Sequence, residues 1–366
     1  MIFKGIEICC PHCKGDLQGI EQEEAALRCV SCDRRFPILL DIPDLRVYPD
    51  PYIDVGADRA KGLELAAHLV ELTFAELVTF YYSITPDVPR HHARRYMRGV
   101  LAGVARAEGA LASWENAVSV NGRPIAASLL ELGCGTAPLL VAAAPRFTKL
   151  IGVDIALRWL VVAKKRLAEA GLDVPLICAC ADALPFPDGT FDQVVADSVI
   201  EHVPDQRKAL AESHRVLRPA GYLCVATPNR YSLGPDPHVG IWAGGFLPDR
   251  WLAVWARRQG GIPPKRRLLS AGSLARLIRE AGFCRPRILL PDVPSGQRSH
   301  FGKGMRLLID LFQIAKRLPV SQQLLRWIGP LVHAVAEKPG DPSGRPCTAQ
   351  IDETTEDLHT EDRDAG

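Results

Sequence analysis

Four cysteines near the start of the chain have a spacing that binds metal ions. Cys10 and Cys13 form one CxxC pair, and Cys29 and Cys32 form a second pair after fifteen intervening residues. Two such pairs allow four thiolates to close a tetrahedral zinc site, which substitutes for a core too small to fold alone. Four unmetallated thiols are the competing interpretation. Because a closed site has no position for substrate, we expect the zinc to be structural or to support docking.

A second group of residues is typical of a nucleotide pocket. Residues 129–137 contain an apolar strand pattern with Glu131, followed by a turn through Gly133 and Gly135 into a helical pattern. Glycines let the backbone approach a ligand closely, and the start of a helix presents N–H groups to it. A second apolar strand ends in Asp154, about 20 residues beyond the glycines. An acid at that position can accept hydrogen bonds from both hydroxyls of a ribose.

The residues after the turn separate two classes of nucleotide. A dinucleotide fingerprint needs a third glycine three residues after the second one, and Pro138 occupies that position. The stretch instead resembles the E-x-G-x-G opening of the class I S-adenosylmethionine-dependent methyltransferases. The last small residue of that pattern, usually glycine, is Ala137 here.

Three later stretches resemble the same family in the expected order. Asp182 begins the run DALPF after a third strand, residues 191–203 resemble the signature F-D-x-V-x-x-x-x-x-x-E-H-V, and residues 215–221 read R-V-L-R-P-x-G. The family includes the O-methyltransferases of quinone synthesis. The resemblance implies a doubly wound, Rossmann-like α/β fold with a seven-stranded sheet. Its antiparallel seventh strand is expected at residues 331–337.

The same resemblance implies a set of cofactor-binding residues at the carboxyl ends of the strands. In order from the methionine end of the cofactor, through the ribose and the adenine, to the transferred methyl group, they are Glu131, Gly133, Gly135, Asp154, Asp182, Ala183, Asp197 and Ser198.

Two histidines are candidates for removing a proton from the acceptor, because histidine titrates near neutrality. His202 belongs to the E-H-V run, and its alternative role is that of a residue at the start of a helix. His238 lies in the loop expected on the acceptor side. A phenol or a carboxylate would need a weak base or none.

The pattern of the chain indicates four segments. Residues 1–45 resemble the small zinc-ribbon activators of RNA and protein methyltransferases, fused here in cis, and the periodicity over 63–82 and 93–114 predicts helices in a lid. The segments are a zinc ribbon (1–45), a helical lid or linker (46–127), a methyltransferase domain (128–337) with acceptor-side insertions (228–270 and 291–328), and a disordered acidic tail (338–366).

The composition of the whole chain is that of a globular protein. Of its 366 residues, 47% are hydrophobic and 23% are charged, and the formal net charge of +2 does not by itself indicate a nucleic-acid partner. No apolar signal segment follows Met1, and no uncharged run reaches the roughly 18 residues of a membrane span. We therefore expect a cytoplasmic protein with metal-bound and buried thiols.

Two segments of the sequence are compatible with more than one kind of binding partner. The amphipathic pattern over 303–328 is explained by packing on the domain or by contact with a membrane surface. Positive charge in the first insertion could meet RNA, an acidic lipid, a phosphorylated metabolite or only solvent. The residues concerned are Arg250, Arg257, Arg258, Lys265, Arg266 and Arg267.

Three functions therefore compete. The first is methyl transfer from S-adenosyl-L-methionine to a small-molecule or lipid-linked acceptor, expected at oxygen. The second is RNA methylation, which the ribbon and the basic insertion suggest, although residues 197–200 (DSVI) are not the N-P-P-Y type of tetrad that grips an adenine amino group. The third is a non-catalytic binding protein on the same scaffold. The sequence does not specify an oligomeric state.

Overall fold

Short antiparallel strands surround the four cysteines at the start of the chain. The computed structural model describes residues 1–20, 25–119, 127–236, 240–292 and 302–340. The strands of the ribbon are β1 (Ile2–Phe3), β2 (Ile6–Glu7), β3 (Leu17–Ile20), β4 (Ala26–Cys29), β5 (Arg35–Leu39) and β6 (Ile42–Pro43). Strand β1 pairs with β2, and β3 to β6 pair successively in a second sheet.

Helices occupy the segment after the ribbon, as the periodicity predicts. They are α1 (Val55–Ala66), α2 (Phe74–Ser83), α3 (Arg90–Leu101) and α4 (Gly103–Ser119). The pattern over 63–82 is divided between α1 and α2 because Thr73 starts a new helix. Its hydroxyl accepts the N–H of Glu76 at 3.3 Å, and the Glu76 carboxylate accepts the N–H of Thr73 at 2.9 Å, which forms a capping box.

A seven-stranded sheet forms the centre of the larger domain. Its strands are β7 (Ser128–Leu132), β8 (Lys149–Asp154), β9 (Leu176–Cys178), β10 (Phe191–Asp197), β11 (Leu217–Pro228), β12 (Cys284–Leu289) and β13 (Leu331–Glu337). The spatial order is β12-β13-β11-β10-β7-β8-β9. Strand β13 is antiparallel to both of its neighbours, and the other pairs are parallel. The predicted doubly wound fold with an antiparallel seventh strand is confirmed.

The remaining helices connect these strands or extend from the sheet. They are α5 (Pro138–Ala143), α6 (Leu157–Glu169), α7 (Gln206–Val216), α8 (Asp249–Arg258), α9 (Ala271–Glu280), α10 (Lys303–Ala315) and α11 (Pro319–Ile328). Within the described ranges, no helix is both long and apolar enough to cross a membrane. The disordered tail was predicted from residue 338, but the N–H of Lys338 donates to the carbonyl of Gly221 at 2.8 Å, so Lys338 is bound to the folded domain. The tail beyond residue 340 lies outside the described residues.

The ribbon joins the larger domain through a shared edge and a shared core. Asp44 forms a parallel bridge to Cys178, and the N–H of Leu45 donates to the carbonyl of Cys178 at 2.7 Å. The ribbon therefore continues the sheet beyond β9. Ile8 and Leu27 of the ribbon belong to the same buried apolar cluster as Phe186 of the larger domain.

A buried ion-pair network connects the ribbon, helix α1 and the start of α6. The Asp58 side chain is fully buried, and its carboxylate accepts from Arg46 and from Arg158, each at 2.7 Å. It also accepts the N–H of Leu157, the first residue of α6, at 2.9 Å. Arg46 reaches back to Asp44 at 2.7 Å. A carboxylate is stabilised by the partial positive charge at the N-terminus of a helix, and it binds arginine strongly. Asp58 therefore fixes the start of α6 and the two arginines relative to one another.

Replacing Asp58 by asparagine should destabilise the fold. The substitution keeps the shape of the side chain but leaves Arg46 and Arg158 with less compensation in a buried position. Removing one partner of a buried ion pair costs about 3–5 kcal/mol, so we expect a loss of this size in the free energy of unfolding by urea. Glu64→Gln, at an exposed position of α1, is the matched control and should change stability by less than about 0.5 kcal/mol. Equal stabilities of the two variants would contradict the role of Asp58.

Candidate functional site

The four cysteines of the ribbon come together as the spacing predicts. Their sulfur atoms all lie within 4.8 Å of one another, with Cys10 and Cys32 at 3.7 Å and Cys13 and Cys29 at 3.4 Å. A tetrahedral ion with bonds of about 2.3 Å to sulfur would separate its ligands by about 3.8 Å. Among the described residues, this is the one group of histidine, cysteine and acidic side chains that could hold a metal ion. The donor set therefore fits a closed metal site.

The glycine turn after β7 creates the space for a ligand. Gly133 and Gly135 have φ angles of 63° and 50°, in the left-handed region that favours glycine. A Cβ on Gly133 would collide with the side chain of Val199, whereas one on Gly135 would meet nothing within 4 Å. Ala137 also takes a positive φ, 58°, which costs a residue with a Cβ about 1–2 kcal/mol. Strain of this kind is typical of functional turns.

Asp154 links this turn to the following helix. It stands at the end of β8, and its two carboxylate oxygens accept the N–H groups of Gly135 and Ala156, each at 2.8 Å. Burial raises the pKa of Asp154 to about 6. These contacts fix the Asp154 side chain at the carboxyl end of β8. The two N–H groups offset only part of the cost of burying its negative charge.

Two further buried carboxyl groups lie near the space at the carboxyl ends of the strands, which we call the crevice. Glu131 is buried, and its Oε2 has no hydrogen-bond partner among the described residues. Burial together with the negative charges of Asp197 and Asp154 holds the pKa of Glu131 well above its usual range. Glu201 accepts from Thr227 through Oε2 at 3.0 Å, and burial raises its pKa to about 7. A cation placed here would stabilise the ionised carboxylates.

The predicted adenine end of the site lies under a residue of the linker. The hydroxyl of Tyr48 donates to the buried carboxylate of Asp182 at 2.6 Å. Ala183 is buried beside Asp182. Tyr48 is absent from the sequence-based site because it is 134 residues away and belongs to no periodic pattern.

Asp197 and Ser198 lie at the end of β10, on the rim of the crevice. Ser198 is exposed and has a φ of 60°. Its hydroxyl donates to Asp197 at 3.0 Å, and its N–H donates to the carbonyl of Ala226 at 2.8 Å. The contact with β11 thus holds Ser198 in its strained conformation. Asp197 and Ser198 face the space at the carboxyl ends of the strands.

His202 is the histidine candidate that the structure describes. It ends a short 3-10 helix, Ile200–His202, and its Nδ1 lies 3.2 Å from the carbonyl oxygen of Lys265. Because a carbonyl only accepts, Nδ1 carries the proton and Nε2 is the basic nitrogen of the ring. Burial lowers the pKa of His202, so the ring is neutral at pH 7. The other candidate, His238, lies outside the described residues.

The first insertion forms a wall beside His202. The N–H of Arg267 donates to the carbonyl of Glu201 at 2.7 Å, and the hydroxyl of Tyr52 accepts from the N–H of Lys265 at 2.7 Å. Arg266 is buried in an ion pair with Asp236. Its assignment to a solvated or partner-binding basic face is therefore wrong, because its charge is compensated inside the protein.

Both parts of the chain are similar to known proteins. The methyltransferase domain family matches residues 130–225, and the Trm112p-like protein family matches residues 8–38. Similar curated proteins include the demethylmenaquinone methyltransferase of Symbiobacterium thermophilum, 32% identical over 169 residues, which cover 42% of this chain and 67% of that protein. The ubiquinone/menaquinone biosynthesis C-methyltransferase UbiE of Methylobacterium nodulans is 32% identical over 221 residues, or 54% of this chain and 81% of that protein.

A solved structure that aligns with the chain is phosphoethanolamine N-methyltransferase 2 of Haemonchus contortus in complex with S-adenosyl-L-methionine. The sequence identity is 18% and the TM-score is 0.41, over 63% of this chain and 52% of that chain.

The cysteine cluster predicts a bound metal ion that depends on all four thiols. Cys13→Ser should reduce the metal content of the purified protein from about one ion per chain to less than about 0.2, because three thiolates leave an open and weaker site. Elemental analysis measures this content directly. The matched control is Cys9→Ala, which removes a neighbouring sulfur that lies outside the cluster and should leave the content unchanged. Full metal content in Cys13→Ser would contradict the four-thiolate site.

Proposed function

The chain belongs to the class I S-adenosylmethionine-dependent methyltransferases, and we propose that its acceptor is a quinol, an aromatic ring with two hydroxyl groups, that carries an apolar chain. The observation that carries this proposal is the similarity to relatives named as quinone-pathway methyltransferases, at 32% identity over 67% and 81% of their lengths.

The acidic crevice supports S-adenosyl-L-methionine as the cofactor. When bound, this cofactor supplies an electrophilic methyl group on a positively charged sulfur. The buried carboxylates of Glu131 and Glu201 are incompletely compensated, and a cation nearby lowers the cost of their charge. The demethylated product lacks the sulfonium charge. The same carboxylates therefore favour the cofactor over the product.

We assign the cofactor contacts to the residues at the carboxyl ends of the strands. The turn at Gly133 and Gly135 allows close approach of a ligand, and Asp154 has lone pairs remaining after its two backbone contacts. Adenine would either share Asp182 with the Tyr48 hydroxyl or displace that hydroxyl. The assigned residues are Glu131, Gly133, Gly135, Asp154, Asp182, Ala183, Asp197 and Ser198.

His202 is proposed to accept a proton from the acceptor. Taking the proton of a ring hydroxyl onto Nε2 increases the electron density on the oxygen and on the adjacent ring carbon. One relative is named as a C-methyltransferase, so we propose that the methyl group bonds to that carbon. The hydrogen of that carbon then leaves as a proton to water, the ring oxygen takes back the proton held on Nε2, and the ring becomes aromatic again. Methylation at oxygen, the expectation from the sequence, remains the alternative product.

We propose that the cysteine cluster holds zinc in a structural role. Four thiolates complete the coordination of the ion and leave no position for substrate. The ribbon lies against the sheet edge next to β9, and its final residues lead into Arg46 and Tyr48. Zinc would thus hold the segment that covers the adenine end of the crevice.

Product analysis tests the acceptor. The purified, zinc-loaded protein is incubated with methyl-labelled cofactor and a short-chain naphthoquinol or benzoquinol, with the oxidised quinone and with transfer RNA. We expect label in the quinol alone, because only the reduced ring has a hydroxyl proton to give up. Nuclear magnetic resonance of the product distinguishes a ring-carbon methyl from a methoxy group. Label in RNA and not in quinol would overturn this function in favour of RNA methylation.

His202→Asn tests the base. Asparagine can still donate to the carbonyl of Lys265 but cannot accept the proton, so we expect kcat at pH 7 to fall by about 10²- to 10³-fold with little change in the KM for the cofactor. In the wild type, kcat should fall as the pH drops through the pKa of His202, which burial holds below its ordinary value. This acidic limb should disappear in the variant.

The control is His68→Asn, in the lid beside Glu71, which should keep the wild-type rate and pH profile. In the structure His202 ends a 3-10 helix and does not start one. A His202→Asn enzyme with wild-type kcat and an unchanged acidic limb would show that the residue has only a local structural role.

A further inference from the structure

Helix α10 presents its apolar stripe to the outside of the protein. Leu307, Leu311 and Ile314 follow the spacing of one helix face, and each is between 53% and 61% exposed. An amphipathic helix of a globular protein normally turns such a stripe towards the core. The more covered positions include the apolar Ile309 and Phe312 as well as the polar Asp310 and Gln313. Helix α10 therefore has apolar residues on both faces, and one of these faces is left exposed.

Helix α11 repeats the arrangement beside the crevice. Val320, Leu324 and Trp327 are spaced by four and three residues, and Val320 is 88% exposed. The end of the helix contacts the loop after β11, because the side chain of Asn229 donates to the carbonyl of Trp327 at 2.8 Å. Leu233 of the same loop donates its N–H to Ile328 at 3.4 Å. The stripe thus reaches the carboxyl end of β11, where the site lies.

Helix α8 and the loop before it add aromatic side chains to the exposed apolar area. Trp251 is 63% exposed, and Trp255 of the same helix is also exposed. In the preceding loop, Trp242 and Phe246 are exposed, and the Phe246 ring packs 5.6 Å from that of Tyr231. Tyr231 lies between Asn229 and Leu233, the loop residues that contact α11. Tryptophan and tyrosine are enriched where a membrane meets water.

Positive charge accompanies these apolar residues. Residues 249–258 and 302–329 contain eight lysines and arginines and only two aspartates. The exposed cations of these two segments with no ion pair among the described residues are Arg250, Arg257, Arg258, Lys303, Arg317 and Arg326. We name the exposed faces of α8, α10 and α11 the apolar-basic surface.

We propose that the apolar-basic surface binds the surface of an anionic lipid membrane. Lysine and arginine next to exposed aliphatic and aromatic side chains are the composition of helices that lie in the headgroup region. RNA would use the cations but would leave the stripes of α10 and α11 in water. A second copy of the chain would bring like charges together across the contact. Lipid satisfies both components of the surface.

This inference rests on the proposed function for its biological purpose. A quinol with an apolar chain resides in a membrane, and the surface adjoins the crevice through Asn229 and Leu233. The ring could therefore enter the site while the chain stays in lipid.

Vesicle sedimentation tests the proposal without cofactor or acceptor. The full-length protein is mixed with vesicles of phosphatidylcholine alone or of phosphatidylcholine with phosphatidylglycerol. We expect binding to the anionic vesicles that weakens as salt is added. The double variant Leu311→Ser with Ile314→Ser should bind at least about tenfold more weakly. Arg326→Glu should bind about fivefold or more weakly and show less dependence on salt.

Matched controls alter exposed residues elsewhere in the chain. Val70→Ser changes an apolar residue that is 94% exposed in the turn after α1, and Lys208→Glu reverses an exposed charge on α7. Both should bind vesicles as the wild type does. Unchanged thermal unfolding and cofactor affinity would show that every variant is folded.

Three results would overturn the proposal. They are the absence of binding to anionic vesicles, equal binding by the Leu311→Ser, Ile314→Ser variant, and a change of that variant from dimer to monomer in sedimentation velocity. Vesicle binding by a protein that does not methylate quinols would overturn the proposed function alone. Methylation of a detergent-solubilised quinol without vesicle binding would overturn this inference alone.

Discussion

Asp58 carries a buried negative charge that three separate segments of the chain share. Its carboxylate binds Arg46, which follows the ribbon, Arg158 on α6, and the first N–H of α6. Arg46 also donates to the carbonyl of Ile155 at 3.1 Å, directly after Asp154. Because leaving a charge unpaired in this interior is costly, the ribbon, helix α1 and the carboxyl end of β8 are fixed relative to one another. The crevice therefore depends on a contact outside it.

The chemistry of the crevice follows from buried carboxyl groups, among them Asp154 and Glu201, that have few hydrogen-bond partners. Asp154 accepts two backbone N–H groups, yet burial raises its pKa to about 6. Glu201 has one hydroxyl partner and a pKa of about 7. Ionising these buried carboxyl groups is costly when no positive charge is near, and a bound cation lowers that cost. This electrostatic preference suits a sulfonium cofactor, and it relaxes when the positive charge leaves with the transferred methyl group.

The sequence was sufficient for features that depend on local pattern. Three such features were predictable: the turn at Gly133 and Gly135, the four clustered cysteines and the antiparallel strand at Leu331–Glu337. Each depends on residues that are close together in the sequence. Contacts between distant segments were not predictable. Tyr48 donates a hydrogen bond to Asp182, which is 134 residues away in the sequence. Arg266 forms a buried ion pair with Asp236, so it does not belong to the basic surface that the neighbouring arginines and lysine suggested. The outward orientation of the α10 stripe also required the structure, since periodicity does not say which face is covered.

Calorimetric titration with S-adenosyl-L-methionine and with its demethylated product tests the central claim that the acidic crevice recognises a cationic cofactor. Near pH 6.5 in two buffers of different ionisation enthalpy, we predict that the cofactor binds more tightly than the product and releases more protons, because a cation lowers the raised pKa values of Asp154 and Glu201. Asp154→Ala should weaken cofactor binding by at least tenfold, about 1.4 kcal/mol. Equal affinity of the variant and the wild type, or no binding of either ligand to the wild type, would contradict the account.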